Sequence, residues 1–133
     1  MIVAGVGFRS SVDADEIVAL VERALLQAAL QCEALDRLAT IEPLAAMPPF
    51  VEAARRLSTA PVGVERAALE GAAHAVQTIS ARALAAHGVG SVAEAAALGA
   101  VGSGAVLVLK RITSAAATCA LARDTTTAEE AHS

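Results

Sequence analysis

Two apolar patterns alternate along the chain and predict an alternation of strands and helices. Short apolar runs bounded by glycine, proline or charged residues are typical of buried strands. Between these runs, apolar residues recur at spacings of three and four, as in a helix with one buried face. The clearest helical stripe is Ile17, Leu20, Val21, Ala24, Leu25 and Ala28. The predicted strands are residues 1–6, 38–42, 61–65, 105–112 and 115–122.

Two capping boxes mark helix starts. Asp13 is followed three residues later by Glu16, and Ser91 by Glu94. In this motif the first side chain accepts a hydrogen bond from the backbone of the glutamate, and the glutamate side chain bonds back. We therefore predict one helix after Asp13 and another from Ser91 to about Leu98, where a glycine-rich segment breaks it. Capping is also the simplest role for Glu94.

The other predicted helices are shorter. Pro49 suits the first position of a helix on whose outer face Glu52 and Arg56 pair. Residues 66–79 predict a short turn of helix and a loop, and residues 80–87 predict a helix closed by Gly88.

Strands that alternate with helices predict an α/β layered fold. Only Thr113 and Ser114 separate the last two strands, which favours an antiparallel hairpin. The strand over residues 61–65 contains a proline and is expected at or near a sheet edge. We predict a single three-layer α/β/α domain over residues 1–123, with a mixed sheet of about five strands that ends in the hairpin. The polar residues 124–133 predict a flexible tail.

Composition and charge exclude several classes of protein. The chain is 56% hydrophobic, has a net charge of −4, and contains two aromatic residues, Phe8 and Phe50. We expect no nucleic-acid partner, because such proteins use basic patches and stacking rings. No apolar run reaches the roughly 18–20 residues of a membrane span, and no signal peptide is expected. Cys32 and Cys119 form no CxxC motif, which favours two small buried side chains in a cytoplasmic protein.

The turn between the first predicted strand and the first helix carries the strongest candidate for chemistry. Gly5 and Gly7 leave room for a ligand near the backbone. Arg9 offers a planar fork of donors to a carboxylate or phosphate. Ser10 and Ser11 add small donors. A strand end, a glycine turn and a helix start together predict an anion-binding corner.

Other candidates are weaker. Lys110 lies late in an apolar strand and would suit the anion site, although a side chain that reaches solvent from the sheet end is the simpler interpretation. For Thr118, a place in the core is the simpler interpretation.

Ser10 stands where the third glycine of a GxGxxG motif is expected, so dinucleotide binding is weakly supported. No catalytic residue is assigned and no metal or cofactor is expected, because no metal-ligand spacing relates the histidines His74, His87 and His132.

The order of four motifs resembles a family of cobalamin biosynthesis, that of CobE and the C-terminal domain of CbiG. The motifs are GVGFRSSVDADEI, LATIE, VGSVAEAAAL and VLVLKRITSAAATCALAR, and the resemblance covers nearly all of residues 2–123. A departure follows Ile41, where the family often has a lysine and this chain has Glu42, Pro43 and Leu44. The positions that match the family pattern are Gly5, Gly7, Arg9, Ser10, Ser11, Ser91, Val92, Glu94, Ala95, Lys110 and Thr118.

The resemblance implies an accessory protein that binds a precorrin or corrinoid intermediate and aids its processing or transfer. Other cobalamin-pathway enzymes are possible partners. One alternative is a hydrolase that acts on the ring lactone of a precorrin, for which Glu94 is the candidate base. Another is an interaction module that docks on a pathway enzyme without a ligand of its own. The expected ligand-binding residues are Gly5, Gly7, Arg9, Ser10, Ser11, Glu94, Lys110 and Thr118.

Overall fold

A computed structural model describes residues 1–124 and contains a five-stranded sheet. The strand order is β3-β2-β1-β5-β4. The first three strands are parallel, whereas β5 pairs antiparallel with both β1 and β4. The sheet is therefore mixed and ends in an antiparallel hairpin, as predicted. The strands are β1 (Ile2–Phe8), β2 (Leu35–Ile41), β3 (Ala60–Val64), β4 (Ala105–Thr113) and β5 (Ala117–Asp124).

Helices cover both faces of this sheet and complete the predicted three-layer domain. The α-helices of the described chain are α1 (Ala14–Gln27), α2 (Pro48–Arg56), α3 (Arg66–Ala72), α4 (Ala81–His87) and α5 (Val92–Val101). One core cluster joins α1 and α2 to the sheet, and a second joins α3 and α5 to its other face. Short 3₁₀ turns lie at Cys32–Ala34, Glu42–Leu44 and Ala73–Ala75.

The central strand β1 is buried on both faces, which explains its unbroken apolar sequence. Ala4 and Val6 pack in the cluster beneath α1, while Val3 packs beneath α5. Gly5 also faces α5, where a Cβ atom would lie 2.0 Å from the carbonyl oxygen of Ala93. The sequence interpretation of Gly5 as a place for ligand approach is therefore wrong, because the backbone of α5 occupies that space.

Helix α5 is buried almost all round, as its alanine-rich and uniformly apolar sequence requires. It continues through Gly99 to Val101 rather than ending near Leu98. Gly99 serves packing rather than helix termination, since a Cβ atom there would lie 2.9 Å from the Val64 side chain. No single helix within residues 1–124 is long and apolar enough to cross a membrane. Taken together, helices α4 and α5 reach the length and apolar composition of a membrane span, but the pair is bent by 57° at the break between them.

Several predicted boundaries need correction. Strand β2 begins at Leu35 rather than at residue 38, because it pairs with β1 from there onwards. Strand β5 begins at Ala117 rather than at residue 115, since the Ser114 N–H closes the hairpin turn on the Ala117 carbonyl at 2.9 Å. Asp124 is the last residue of β5 rather than the start of a tail, and residues 125–133 lie outside the described residues.

One predicted ion pair is also wrong. Glu52 accepts hydrogen bonds from Arg55, three residues on, rather than from Arg56. Arg56 instead pairs with Asp15 of α1 at 2.5 Å. The packing of α2 against α1 brings Asp15 within reach of Arg56, so tertiary contact overrides the local i,i+4 geometry.

Other local predictions are confirmed. Residues 66–79 form the short helix α3, a 3₁₀ turn and a loop. Strand β3 lies at a sheet edge. Gly88 closes α4 in the left-handed conformation with φ of 74°, where a side chain would be strained.

We expect Gly5→Ala to lower the free energy of unfolding by about 3 kcal/mol, because the new methyl group would collide with the backbone of α5. The measurement is urea unfolding of the purified protein. Gly71→Ala is the matched control: its Cβ would meet nothing within 4 Å, and alanine in α3 should raise the free energy of unfolding by about 0.5–1 kcal/mol. Equal effects of the two substitutions would refute the close contact at Gly5.

Candidate functional site

A cleft of about 500 Å³ opens where β1 ends. Its walls are the end of β1, the β4–β5 hairpin turn, the inner face of α4 and the first residue of α5. Its volume falls in the range of roughly 300–1,000 Å³ that is usual for small-molecule sites. The lining residues include Gly7, Phe8, Arg9, Ser80, Arg82, Ala83, Ala86, His87, Val92, Arg111 and Thr118.

Three arginines give the cleft a positively charged lining. Arg9 follows β1, Arg82 lies on α4 and Arg111 lies on β4, and all three line the cleft. Among residues 1–124, no Asp or Glu side chain lines it. In the same part of the chain, none of these three guanidinium groups makes a hydrogen bond or an ion pair. Their planar donor forks are therefore available to a ligand that carries carboxylates or phosphates.

The rest of the cleft offers apolar surface. Phe8 lines it and stacks on Phe50 of α2 with ring centroids 6.1 Å apart. Ala83 and Ala86 of α4 and Val92 of α5 contribute small apolar side chains. The cleft therefore suits a ligand with an apolar body and several acidic groups at its rim.

A buried carboxylate holds one wall of the cleft in place. The Glu94 side chain has no exposed surface and accepts hydrogen bonds from three residues in two segments around it. Gln77 N and Thr78 N donate at 2.7 and 2.9 Å, Thr78 Oγ1 donates at 2.5 Å, and Arg111 N donates at 2.8 Å. Glu94 thus joins α5 to β4 and to the loop that precedes α4.

The hydrogen bonds around Glu94 also determine its charge. Burial by itself would raise the pKa of this carboxyl, but the bonds donated by Arg111, Thr78 and Gln77 together outweigh burial and hold the pKa below its ordinary value. The Ser91 hydroxyl caps the Glu94 N–H at 3.2 Å, as predicted. The return bond of the capping box is not made, because the Glu94 side chain turns towards Arg111 and Thr78 instead.

A second capping-box glutamate holds the hairpin turn. Asp13 caps the Glu16 N–H at 2.8 Å, and the Glu16 carboxylate accepts bonds from the Ser114 hydroxyl and from Ala116 N. These two donors lower the pKa of Glu16. Arg23 of α1 donates to the Thr113 carbonyl at 2.5 Å. Helix α1 therefore fixes the turn that forms the rim of the cleft.

The structure brings together only some of the residues predicted from the sequence. Thr118 stands opposite Gly7 in the β1–β5 register and its hydroxyl lies 3.4 Å from the Gly7 carbonyl. Gly7, Arg9 and Thr118 line the cleft. The residues outside the cleft lining are Gly5 beneath α5, Ser10 and Ser11 in an exposed turn, the buried Glu94, and the exposed Lys110.

Sequence reasoning missed two of the three arginines. Arg111 follows Lys110 in β4. Side chains of a regular strand alternate between the two faces of the sheet, but the pairing of β4 with β5 is irregular between Leu109 and Ile112. Alternation therefore does not show on which face Arg111 lies. Arg82 belongs to no motif, and only the fold places it in the same cleft as Arg111.

His87 also lines the cleft. Within the described chain, no group of three His, Cys, Asp or Glu side chains is arranged to hold a metal ion.

Comparisons with known proteins agree with one another. The family described as Cobalamin synthesis G C-terminus matches residues 2–122. Protein CobE of Sinorhizobium sp is 36% identical over 121 residues, which are 91% of this chain and 79% of that protein. The crystal structure of CobE, a protein from the cobalamin (vitamin B12) biosynthetic pathway, is 34% identical with a TM-score of 0.84, over 92% of this chain and 89% of that chain. The cobalamin biosynthesis protein chiG from Agrobacterium tumefaciens str. C58 is 34% identical with a TM-score of 0.74, over 94% of this chain and 99% of that chain.

We expect Glu94→Gln to lower the free energy of unfolding by about 2–4 kcal/mol at pH 7. The amide would place an N–H₂ donor among backbone donors and remove the charge that they bind. Urea unfolding measures the loss. The matched control is Glu70→Gln on the exposed side of α3, which should change stability by less than about 0.5 kcal/mol.

The same pair of variants tests the charge of Glu94. Because folding lowers its pKa, its contribution is complete above the ordinary value of 4.5 and is lost as the pH falls through the lower folded-state value. The difference in stability between the wild type and Glu94→Gln should therefore shrink below pH 4.5. A difference that stayed constant down to about pH 3, well below the ordinary range of a carboxyl, would contradict an ionised Glu94.

Proposed function

The chain belongs to the cobalamin synthesis G C-terminal family and is a cobalamin biosynthesis protein, and from this premise we propose that its cleft binds a precorrin or corrinoid intermediate. Binding would present the intermediate for processing or for transfer to another enzyme of the pathway. The observation that supports the proposal is the convergence of Arg9, Arg82 and Arg111, without carboxylate partners in the described chain, on a partly apolar cleft.

The chemistry of the cleft and of the ligand match. Corrinoid precursors carry acetate and propionate carboxylates around an apolar macrocycle. A carboxylate can accept two parallel hydrogen bonds from an arginine, which gives both strength and orientation. Phe8 and Val92 would contact the edge of the ring while Arg9 and Arg111 bind its acidic side chains. In a chain with a net charge of −4, this cleft gathers positive charge where an anionic ligand would enter.

The geometry of Glu94 argues against the hydrolase alternative. A base that activates water needs a free lone pair facing the ligand and a pKa near the working pH. Glu94 has no exposed surface, accepts four hydrogen bonds and has a lowered pKa. These properties support a structural role for Glu94 behind the wall of the cleft.

A cytoplasmic location remains part of the proposal, in keeping with the free and exposed thiol of Cys32.

We expect a titration with hydrogenobyrinic acid, a metal-free corrin with free carboxylates, to give a saturable change in the visible spectrum. The protein contains no Trp or Tyr, so the pigment dominates the near-ultraviolet absorbance as well. Arg9→Ala and Arg111→Ala should each weaken binding by about 10- to 100-fold, the usual effect of losing a charge-assisted hydrogen bond. Arg66→Ala, which removes an exposed arginine at the start of α3, is the matched control and should bind normally.

The outcomes separate the alternatives. Weaker binding by both cleft variants but not by Arg66→Ala would support the cleft as the site. Equal weakening by all three would indicate general charge attraction and would refute this site. A flat titration with hydrogenobyrinic acid and with precorrins would refute ligand binding and favour the interaction module. Capture of a pathway enzyme in the absence of pigment would then establish that module.

A further inference from the structure

Helix α4 is sparsely packed, and Ala83 is its only half-buried residue. The helix buries none of its residues, although it stands directly over the cleft. Within residues 1–124, no hydrogen bond or ion pair joins residues 81–87 to the elements below them. The bonds that it makes are local, such as the cap in which Ala83 N donates to Ser80 Oγ at 3.3 Å. A helix held in this way is free to change its distance from the sheet at little energetic cost.

The two ends of this segment are firmly anchored. The Ser80 N–H donates to the Gly90 carbonyl at 2.8 Å, which closes the segment into a loop. Val89 is buried, and a Cβ atom on Gly90 would lie 2.6 Å from the Thr78 carbonyl oxygen. Thr78 is in turn bound by Glu94. The anchors lie outside the helix, and the left-handed Gly88 separates the helix from one of them.

One face of α4 is directed at the cleft. Arg82, Ala83, Ala86 and His87 line the cleft and lie on the same side of the helix, as spacings of four residues require. Leu84 lies on the other side and is 45% exposed. The face towards the cleft therefore combines apolar surface with Arg82, a cation that has no partner in the described chain, and Arg111 lines the same cleft.

We propose that α4 is a lid that closes on the bound ligand, and that Arg82 is the specificity-determining residue that draws it in; this inference rests on the proposed function. A ligand carboxylate between Arg82 and Arg111 would bridge the helix and β4, which have no direct bond within the described chain. Closure would also cover the apolar edge of the ring with Ala83 and Ala86. A ligand without an acidic group at this position would bind with the lid open.

The chain itself provides a way to measure the movement. Cys32 is exposed and Cys119 is buried, so a spin label attaches at Cys32 alone, in the 3₁₀ turn before β2. Ala85→Cys adds a second label on the exposed side of α4 that does not line the cleft. Electron paramagnetic resonance measures the distance between the two spin labels with and without hydrogenobyrinic acid, and this distance reports the position of α4. The control pair is Cys32 with Glu70→Cys on α3, whose distance should not change.

In the Ala85→Cys variant, we expect the pigment to shift and narrow the distribution of distances between the label at Cys32 and the label on α4. The control pair should show no change. Arg82→Ala should abolish the shift at saturating pigment, while the visible titration still shows binding that is roughly tenfold weaker. Arg66→Ala should behave as the wild type in both measurements. Saturable binding with no shift of α4, or an unchanged shift in Arg82→Ala, would overturn the lid and leave the proposed function standing. A flat titration would overturn the proposed function and the lid together.

Discussion

The arrangement around the cleft depends on one buried carboxylate. Glu94 lies at the start of the central helix α5 and accepts hydrogen bonds from β4 and from the loop before α4. An ionised group without exposed surface is stable only when its acceptors are filled, and four donors fill them here. Because three of these donors are backbone N–H groups, the carboxylate determines where the chain runs at Arg111 and in the loop from which α4 starts.

Close packing of α5 on β1 helps to place Glu94 beside these segments. Gly5 removes the side chain that would separate α5 from β1, and Ala93 and Ala97 present small side chains in return. The resulting contact places the N-terminus of α5 beside the end of β1, where the cleft opens. The alanine-rich sequence of α5 is therefore what allows this close packing.

Both capping-box glutamates act beyond their own helices. Glu16 binds the hairpin turn at Ser114 and Ala116, and Glu94 binds the opposite wall. The hairpin turn, β4 and the loop before α4 are thus held from two helices, while the guanidinium groups in the cleft stay unpaired in the described chain. A preformed frame with free cations favours an anionic ligand, since few groups must be reordered or released from ion pairs when it binds. This frame supports the proposal that the domain receives an acidic tetrapyrrole in cobalamin biosynthesis.

The sequence by itself determined the layered α/β fold and the hairpin, because strand and helix periods and capping residues are local signals. It also placed Arg9 and Gly7 at a strand end, where parallel sheets present their sites. Only the tertiary structure decided which cations share the cleft, since Arg9, Arg82 and Arg111 are distant in sequence and an irregular stretch of β4 hides the side on which Arg111 lies. It also decided that Gly5 serves helix packing and that Glu94 leaves its capping role, because both depend on atoms from segments that no local pattern brings together.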